Sequence, residues 1–578
     1  MNKIRLGFLL AGFVGLSNLV FAQTVDQGKK FYYYQRYKSA KDALEKAIAA
    51  NPNNAEAVYW LAETDLALKD SVAAEATLQK ALQTNGNVPI LLVGMGHIEL
   101  REGKASDARQ RFETAISLTK GKDVEILNAV GRANADQNAK AGDPPYGIEK
   151  LNLATEIKKF NNPQTYVIMG DAYRKLIDGG NAVTAYNKAL ALDPKLAEAK
   201  FKIGIIYLTQ NNKDYFLPAF EEATQMDPAY APAFYQLYLY WFFRDINKAK
   251  DYFDKYLAVS DPSPTDTYDR ISILYATGKY DPSAYGKAIE QAKAQISSLG
   301  DKADPRYYKL LAYATYDGMK DSVGAKNYLD QYFAKQKAGD FVPKDYSFRA
   351  EILSKFPHND SLVTLNFQQA LAMDTVQADK MDILKEALDL SKSTGNKTGY
   401  AYWQGQAYLM NKNPAQSDLY NWGIANYQAG QYKTADSIFC GMYESKYPNE
   451  IFGYLWCARS KRAQDDSTGS QGISVDAYDK LAQVGRAMDS TAKAAGTADS
   501  VKFRPQILES YFYLASYYND IKKDKPAAIL YLQKILEVDP SNSTAAKFIE
   551  ILKRPPPRQP AAKPRAATTG THSSTGRR

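Results

Sequence analysis

Apolar side chains return at a fixed interval along the first part of the chain. Ala40, Ala74 and Ala108 lie 34 residues apart, as do Leu44, Leu78 and Phe112, and again Ala47, Ala81 and Ala115. Within each unit the steps of four and then three put these side chains on one face of a helix. The segments that precede them, AVYWLAETDLAL and PILLVGMGHIEL, supply a second helix. The pattern predicts a helical hairpin, repeated, whose apolar face is buried only by stacking on its neighbours. At 578 residues the chain is too long for one compact core, which suits such an array.

The hairpins resemble the tetratricopeptide repeat family. The fullest match runs from Pro163 through Tyr166, Met169, Gly170, Tyr173, Ala182, Tyr186 and Ala189 to Pro194, and the next unit repeats it with Ile203, Gly204, Tyr207, Phe220, Ala223 and Pro228. It returns near the C-terminus at Gly423, Gly430, Ala435 and Phe439, and at Ala528, Leu532, Ile535 and Pro540. The resemblance covers residues 24–553, crisp at both ends and blurred between 260 and 415. It implies an all-α, right-handed superhelical solenoid of about twelve or thirteen hairpins, similar to exported repeat proteins of Bacteroidota. Glycine or alanine in the first helix lets the second approach, and the aromatic fills the gap between hairpins. The closing proline after Asn51, Asp193, Asp227 or Asp539 is expected to stop one helix and open the first turn of the next. An insertion, AGDPPYG at 141–147, interrupts the fourth unit.

The ends read differently. Lys3 and Arg5 precede an apolar run from Leu6 to Phe21, with a cleavage site after Ala22, so residues 1–22 are expected to be a secretory signal. No later stretch is long and uncharged enough to span a membrane. The organisation expected is a signal at 1–22, an N-terminal array at 23–260, divergent repeats at 261–415, a C-terminal array with a capping helix at 416–554, and a Pro-rich basic tail at 555–578 too poor in large apolar residues to fold.

Charge sharpens this division. The formal net charge is +9, of which two charges fall in residues 1–22 and seven in 553–578, so the body between is neutral. A nucleic-acid partner is not expected, because such domains carry a basic face. Arg554, Arg558, Lys563, Arg565, Arg577 and Arg578 are instead candidates for an electrostatic tether to an acidic surface or membrane head groups, the alternative being a solvated tail. The two cysteines, Cys440 and Cys457, fall on neighbouring helices of successive units; a disulfide between them is expected as one reading, buried free thiols as the other.

The segment APAFYQLYLYWFFRDINKAK, residues 231–250, puts seven aromatic rings between Phe234 and Phe243. In the repeat frame Phe234, Leu237, Tyr238 and Trp241 are core positions. Tyr235, Leu239, Phe242 and Phe243 fall where the family lines its concave groove, and are the candidate partner-binding residues; packing inside the superhelix is the other reading. The 43 tyrosines suit half-exposed repeat interfaces and saccharide or peptide contacts alike. The Lys/Asn/Arg clamp with which some family members hold acidic peptide tails is missing: the matching positions hold Tyr59, Glu63 and Ile90, then Val167 and Asp171, then Glu198 and Lys202.

Nothing points to an enzyme or a cofactor. His97, His358 and His572 have no metal-ligand spacing, and STGNKTG at 393–399 lacks the order of a phosphate loop. The expected function is an exported, periplasmic interaction scaffold that holds protein partners of the cell envelope. The alternative is a glycan- or peptidoglycan-directed solenoid, binding or hydrolysing its ligand.

Overall fold

The computed structural model describes residues 24–495 and 502–554, and among these every regular element is helical. The expected signal at 1–22 and the basic tail from 555, with Arg558, Lys563, Arg565, Arg577 and Arg578, lie outside the described residues. The chain divides into two compact units, one ending at Tyr332 and one beginning at Phe333.

Unit 1 opens with helices α1 (residues 24–33), α2 (Tyr37–Ala50), α3 (Ala55–Ala67), α4 (Ser71–Asn85), α5 (Pro89–Glu102) and α6 (Ala105–Leu118). It continues with α7 (Val124–Ala135), α8 (Pro144–Thr155), α9 (Pro163–Lys175), α10 (Gly179–Leu192), α11 (Ala197–Thr209) and α12 (Lys213–Met226). Then follow α13 (Ala231–Phe242), α14 (Ile246–Val259), α15 (Pro264–Thr277) and two further helices, Ser283–Leu299 and Arg306–Met319. Successive helices pair as hairpins, and the 34-residue positions are buried as their spacing requires: Ala40, Leu44, Ala74, Leu78 and Ala108 are fully enclosed. Gly170 faces the ring of Tyr186 and Gly204 that of Phe220 so closely that a Cβ on either glycine would overlap the ring. Each glycine thereby sets how near its two helices lie.

Local chemistry starts the helices. Asn54 accepts the amide of Ala57, Asp70 that of Ala73 and Asp178 that of Asn181, each at 3.0 Å. Such a cap contributes about 1 kcal/mol. The Asp-Pro pairs behave differently from expectation. Asp193 and Asp227 are extended residues that end α10 and α12, and their side chains accept the amides two residues on, of Lys195 and Ala229, at 3.0 and 2.9 Å. Pro194 and Pro228 therefore lie in the turn, ahead of α11 and α13 rather than inside their first turns.

The hairpins of unit 1 bring its start back to residues about two hundred positions downstream. Tyr34 is buried with Phe201, Phe220 and Tyr230. Its hydroxyl donates to Asp227 at 2.9 Å, Arg36 Nε donates to Asp261 at 3.1 Å, and Lys38 donates to the carbonyl of Pro262 at 2.7 Å. Unit 1 is thus a stack whose first hairpin seats against α11, α12, the turn before α13 and the connection that follows α14.

Unit 2 repeats the hairpin theme from Pro343–Leu353 to the closing helix Ser543–Lys553. Its largest core runs from Leu419 through Phe439, Tyr478 and Leu514 to Ile549. Between Ser437 and Tyr443 the second helix of one hairpin widens into π-helical turns. Cys440 lies there, its sulfur bonded to that of Cys457 at 2.09 Å, with 4.9 Å between the Cα atoms. No helix among the described residues is long and apolar enough to cross a membrane.

Candidate functional site

The first helix of each hairpin turns one face inward. In unit 1 these faces, from α1, α3, α5, α7, α9 and α11, line a cavity of about 660 Å3. Its wall is polar and carries both signs of charge.

At its floor is a buried ionic chain. His97 on α5 faces Glu63 on α3 through Nδ1 at 2.8 Å and Asp136 through Nε2 at 3.0 Å. Glu63 and His97 are 34 residues apart, the same position in successive repeats. Arg101 Nε donates to the same Asp136 oxygen at 2.7 Å and its Nη1 to the carbonyl of Leu66 at 3.1 Å. Burial opposes the charge on His97, but the two carboxylates outweigh it and raise its pKa to about 9. Both ring nitrogens then carry protons and both donate. Burial also opposes ionisation of Glu63 and Asp136, yet His97 holds each below its ordinary value. These carboxylates are ionised and committed, which unfits them for giving up a proton as a general acid.

Asp136 comes from the loop between α7 and α8, the connection the sequence marks as inserted. Lys175 fastens that loop by donating to the carbonyls of Asn134, Asp136 and Ala139 at 3.1, 2.7 and 3.0 Å. Burial lowers its pKa. Across the cavity, Arg132 lies over the Trp60 ring at 4.6 Å and donates to the Tyr59 hydroxyl at 2.9 Å. Tyr32 meets the same indole edge-on at 5.2 Å. Lys202 pairs with Glu198 at 2.8 Å and with Asp171, which also accepts the Tyr186 hydroxyl at 2.8 Å. Burial works against the Lys202 charge, and the two carboxylates raise its pKa regardless.

Five of the positions compared with the family's peptide clamp, Glu63, Val167, Asp171, Glu198 and Lys202, do line this cavity. In place of a clamp, Glu63 and Asp171 pair with His97 and Lys202 of the next repeat, Glu198 pairs with Lys202 within α11, and Val167 is apolar. The 34-residue step from Glu63 to His97 was the available signal. With those pairs closed, Gln137 and Lys30 remain at the exposed part of the wall and Arg174 half-exposed.

The aromatic candidates on α13 are placed differently. Tyr235 is half-buried, donates to Asp269 at 3.0 Å and packs on Tyr256 at 5.0 Å; it lines a small recess of about 200 Å3 with Tyr34 and Asp261. Phe242 packs edge-on against Tyr238. Leu239 and Phe243 are 43% and 89% exposed. The core positions are as expected at Phe234, Leu237 and Tyr238, while Trp241 is only half-buried. Arg554 is exposed at the end of the last described helix.

Two segments match family models described as tetratricopeptide repeat, over residues 33–92, and TPR repeat, over residues 161–211. Among curated proteins, a putative cellulose synthase operon protein C of Escherichia coli O157:H7 is 29% identical over 114 residues. That stretch is 20% of this chain and only 10% of that protein's length. Among solved structures, the C-terminal part of a TPR repeat-containing protein of Cytophaga hutchinsonii is 26% identical, covering 48% of this chain and 98% of that one, with a TM-score of 0.24. Yeast Tom70 is 12% identical, covering 71% and 96%, with a TM-score of 0.34.

Proposed function

We propose that this chain, a tetratricopeptide-repeat protein, is an exported interaction scaffold whose unit 1 cavity holds a polar, charged segment of an envelope protein. The observation that carries the reading is the cavity wall itself. Its buried carboxylates are held by His97, Arg101 and Lys202, and Arg132 by the Tyr59 hydroxyl and the Trp60 ring, while Lys30, Gln137 and Arg174 reach solvent at the wall. A preorganised wall of that kind binds with little ordering cost. Trp60, covered by Arg132 and Tyr32, offers no open ring on which a sugar could stack, so a peptide suits this cavity better than a glycan.

Export rests on residues 1–22, and the basic segment from Arg554 is read as a tether to acidic surfaces. Affinity capture from the native cell envelope tests the whole reading, comparing the intact chain with a chain ending at Arg554, with Gln137→Ala/Arg174→Ala, and with Leu239→Ala/Phe243→Ala. Loss of one discrete protein with the first pair of substitutions supports the cavity. Loss with the second pair moves the site to α13, and recovery of no discrete protein defeats the scaffold.

A second reading, a glycan-directed protein, takes its support from the 114-residue likeness to a protein named for a cellulose synthase operon.

A further inference from the structure

Unit 2 contains an open recess of about 730 Å3 between the start of helix Asp360–Met373, helix Lys397–Met410 and helix Gln416–Gln428. Its chemistry is unlike that of the unit 1 cavity. Among the described residues that line it, Asp360 is the one charged side chain; the remaining polar wall consists of hydroxyls and carboxamides, including Thr364, Gln406, Gln431 and Thr434.

Two aromatic rings stand in this wall, whose one charge is the Asp360 carboxylate. Tyr402 is 37% exposed and takes a hydrogen bond from Gln368 at 2.6 Å. Trp422 stacks by one face on Tyr408, with centroids 5.6 Å apart, and its indole edge crosses helix Lys397–Met410 at Gly405. A Cβ at 405 would stand 2.7 Å from Nε1 and 2.8 Å from Cε2, so the indole lies there only because the residue is glycine. One face of the indole is thus taken up by Tyr408 and one edge by Gly405, and the half-buried ring lines the recess beside the more exposed Tyr402.

We propose that this recess binds a neutral saccharide chain. Sugar hydroxyls both donate and accept, and so do hydroxyl and carboxamide side chains, whereas ammonium and guanidinium groups only donate. The C–H edges of a pyranose carry slight positive charge and match the negative face of an aromatic ring. With no cation in the wall and Asp360 at its edge, a uronate or phosphate-bearing polymer finds no compensation for its charge. The ligand class rests on the glycan reading above; the location rests on this wall alone.

The test is a tryptophan-fluorescence titration of the full mature chain with cellohexaose, maltohexaose and chitohexaose as neutral probes and an oligogalacturonate of equal length as the acidic one. Tyr402→Ala and Gln406→Ala are made separately; Gln406 is half-buried, while Tyr402 is 37% exposed but meets the buried Trp403 edge-on at 4.7 Å, so circular dichroism checks the fold of each and Tyr402→Phe, which keeps the ring, serves as the control. We expect saturable binding of at least one neutral hexasaccharide, weakened about tenfold by either substitution, a loss typical of a central contact. Neutral binding that survives both substitutions overturns the site and leaves the glycan reading in place. No saturable binding of any neutral probe overturns both. Equal binding of the acidic probe overturns the neutral class.

Discussion

Tyr34 and Asp227 stand 193 positions apart in the chain and share a hydrogen bond of 2.9 Å. Their contact joins the first hairpin of unit 1 to the turn before α13, so the chain of unit 1 returns on itself around the cavity wall.

That closure is partly ionic. Asp261 accepts from Arg36 Nε at 3.1 Å and from the Ser39 amide at 2.9 Å, and these partners overcome its burial and lower its pKa. Charge-assisted hydrogen bonds contribute roughly 1.5–3 kcal/mol. Asp261→Asn is expected to speed amide exchange at Ser39 and along α1 by about ten- to a hundredfold while leaving unit 2 unchanged. Exchange at the wild-type rate would assign the closure to the Tyr34 cluster alone.

His97 gives unit 1 a defined pH dependence. Its pKa in the fold, about 9, exceeds the unfolded value, so its stabilisation is complete below about 6.5 and is lost as pH rises through 9. The shift corresponds to at most about 3 kcal/mol. Glu63 and Asp136 act in the other direction: their depressed pKa values stabilise above the ordinary carboxylate range and fade in acid. Urea unfolding at pH 6 and pH 9 should show a clear loss in the parent and little pH dependence in His97→Gln. Equal slopes in the two proteins would falsify the assignment.

Two glycine substitutions should have opposite signs. Gly170→Ala forces a Cβ into the Tyr186 ring and is expected to cost about 1–3 kcal/mol. Gly286, inside helix Ser283–Leu299, has open space where its Cβ would be, so Gly286→Ala should stabilise by up to about 1 kcal/mol. Thermal unfolding of both variants decides; a destabilised Gly286→Ala contradicts the packing described.

Ile177 is a β-branched residue with φ of 60°, and it is 93% exposed in the turn after α9. Left-handed backbone costs such a residue about 1–2 kcal/mol that no contact offsets. Ile177→Gly is expected to raise stability by roughly 1 kcal/mol in denaturant titration, and a lower midpoint would show that the side chain has a partner.

The bond between Cys440 and Cys457 closes a short loop, the two lying 17 residues apart. A loop of that size stabilises by about 3 kcal/mol. Alkylation without reductant should label neither thiol by mass spectrometry, and reductant should lower the unfolding midpoint of unit 2 but not of unit 1. Two labelled cysteines in the unreduced protein would reject the bond.

The repeat is legible in the sequence because it is local. Ala40, Leu44 and Ala47 recur at one interval, and a helix of 3.6 residues per turn converts that interval into a buried face wherever it occurs. The caps at Asn54, Asp70 and Asp178 are equally local, since each acts over three residues. The aromatic run on α13 is legible as aromatic, but the role of Tyr235 depends on Tyr256 of its own hairpin and on Asp269 of the next, which only packing brings near.

The inner wall of unit 1 was decided by tertiary structure. Glu63, His97 and Asp136 lie on three hairpins, and their mutual distance depends on how each hairpin rotates against the last. Asp136 comes from an irregular loop that no period predicts. Tyr34 reaches Asp227 only because many small rotations between hairpins sum to a return, a sum that no single repeat contains. The sequence alone determined the unit that repeats, because its forces act within a few turns of helix; the charges that meet across the cavity were determined by the accumulated geometry of the stack.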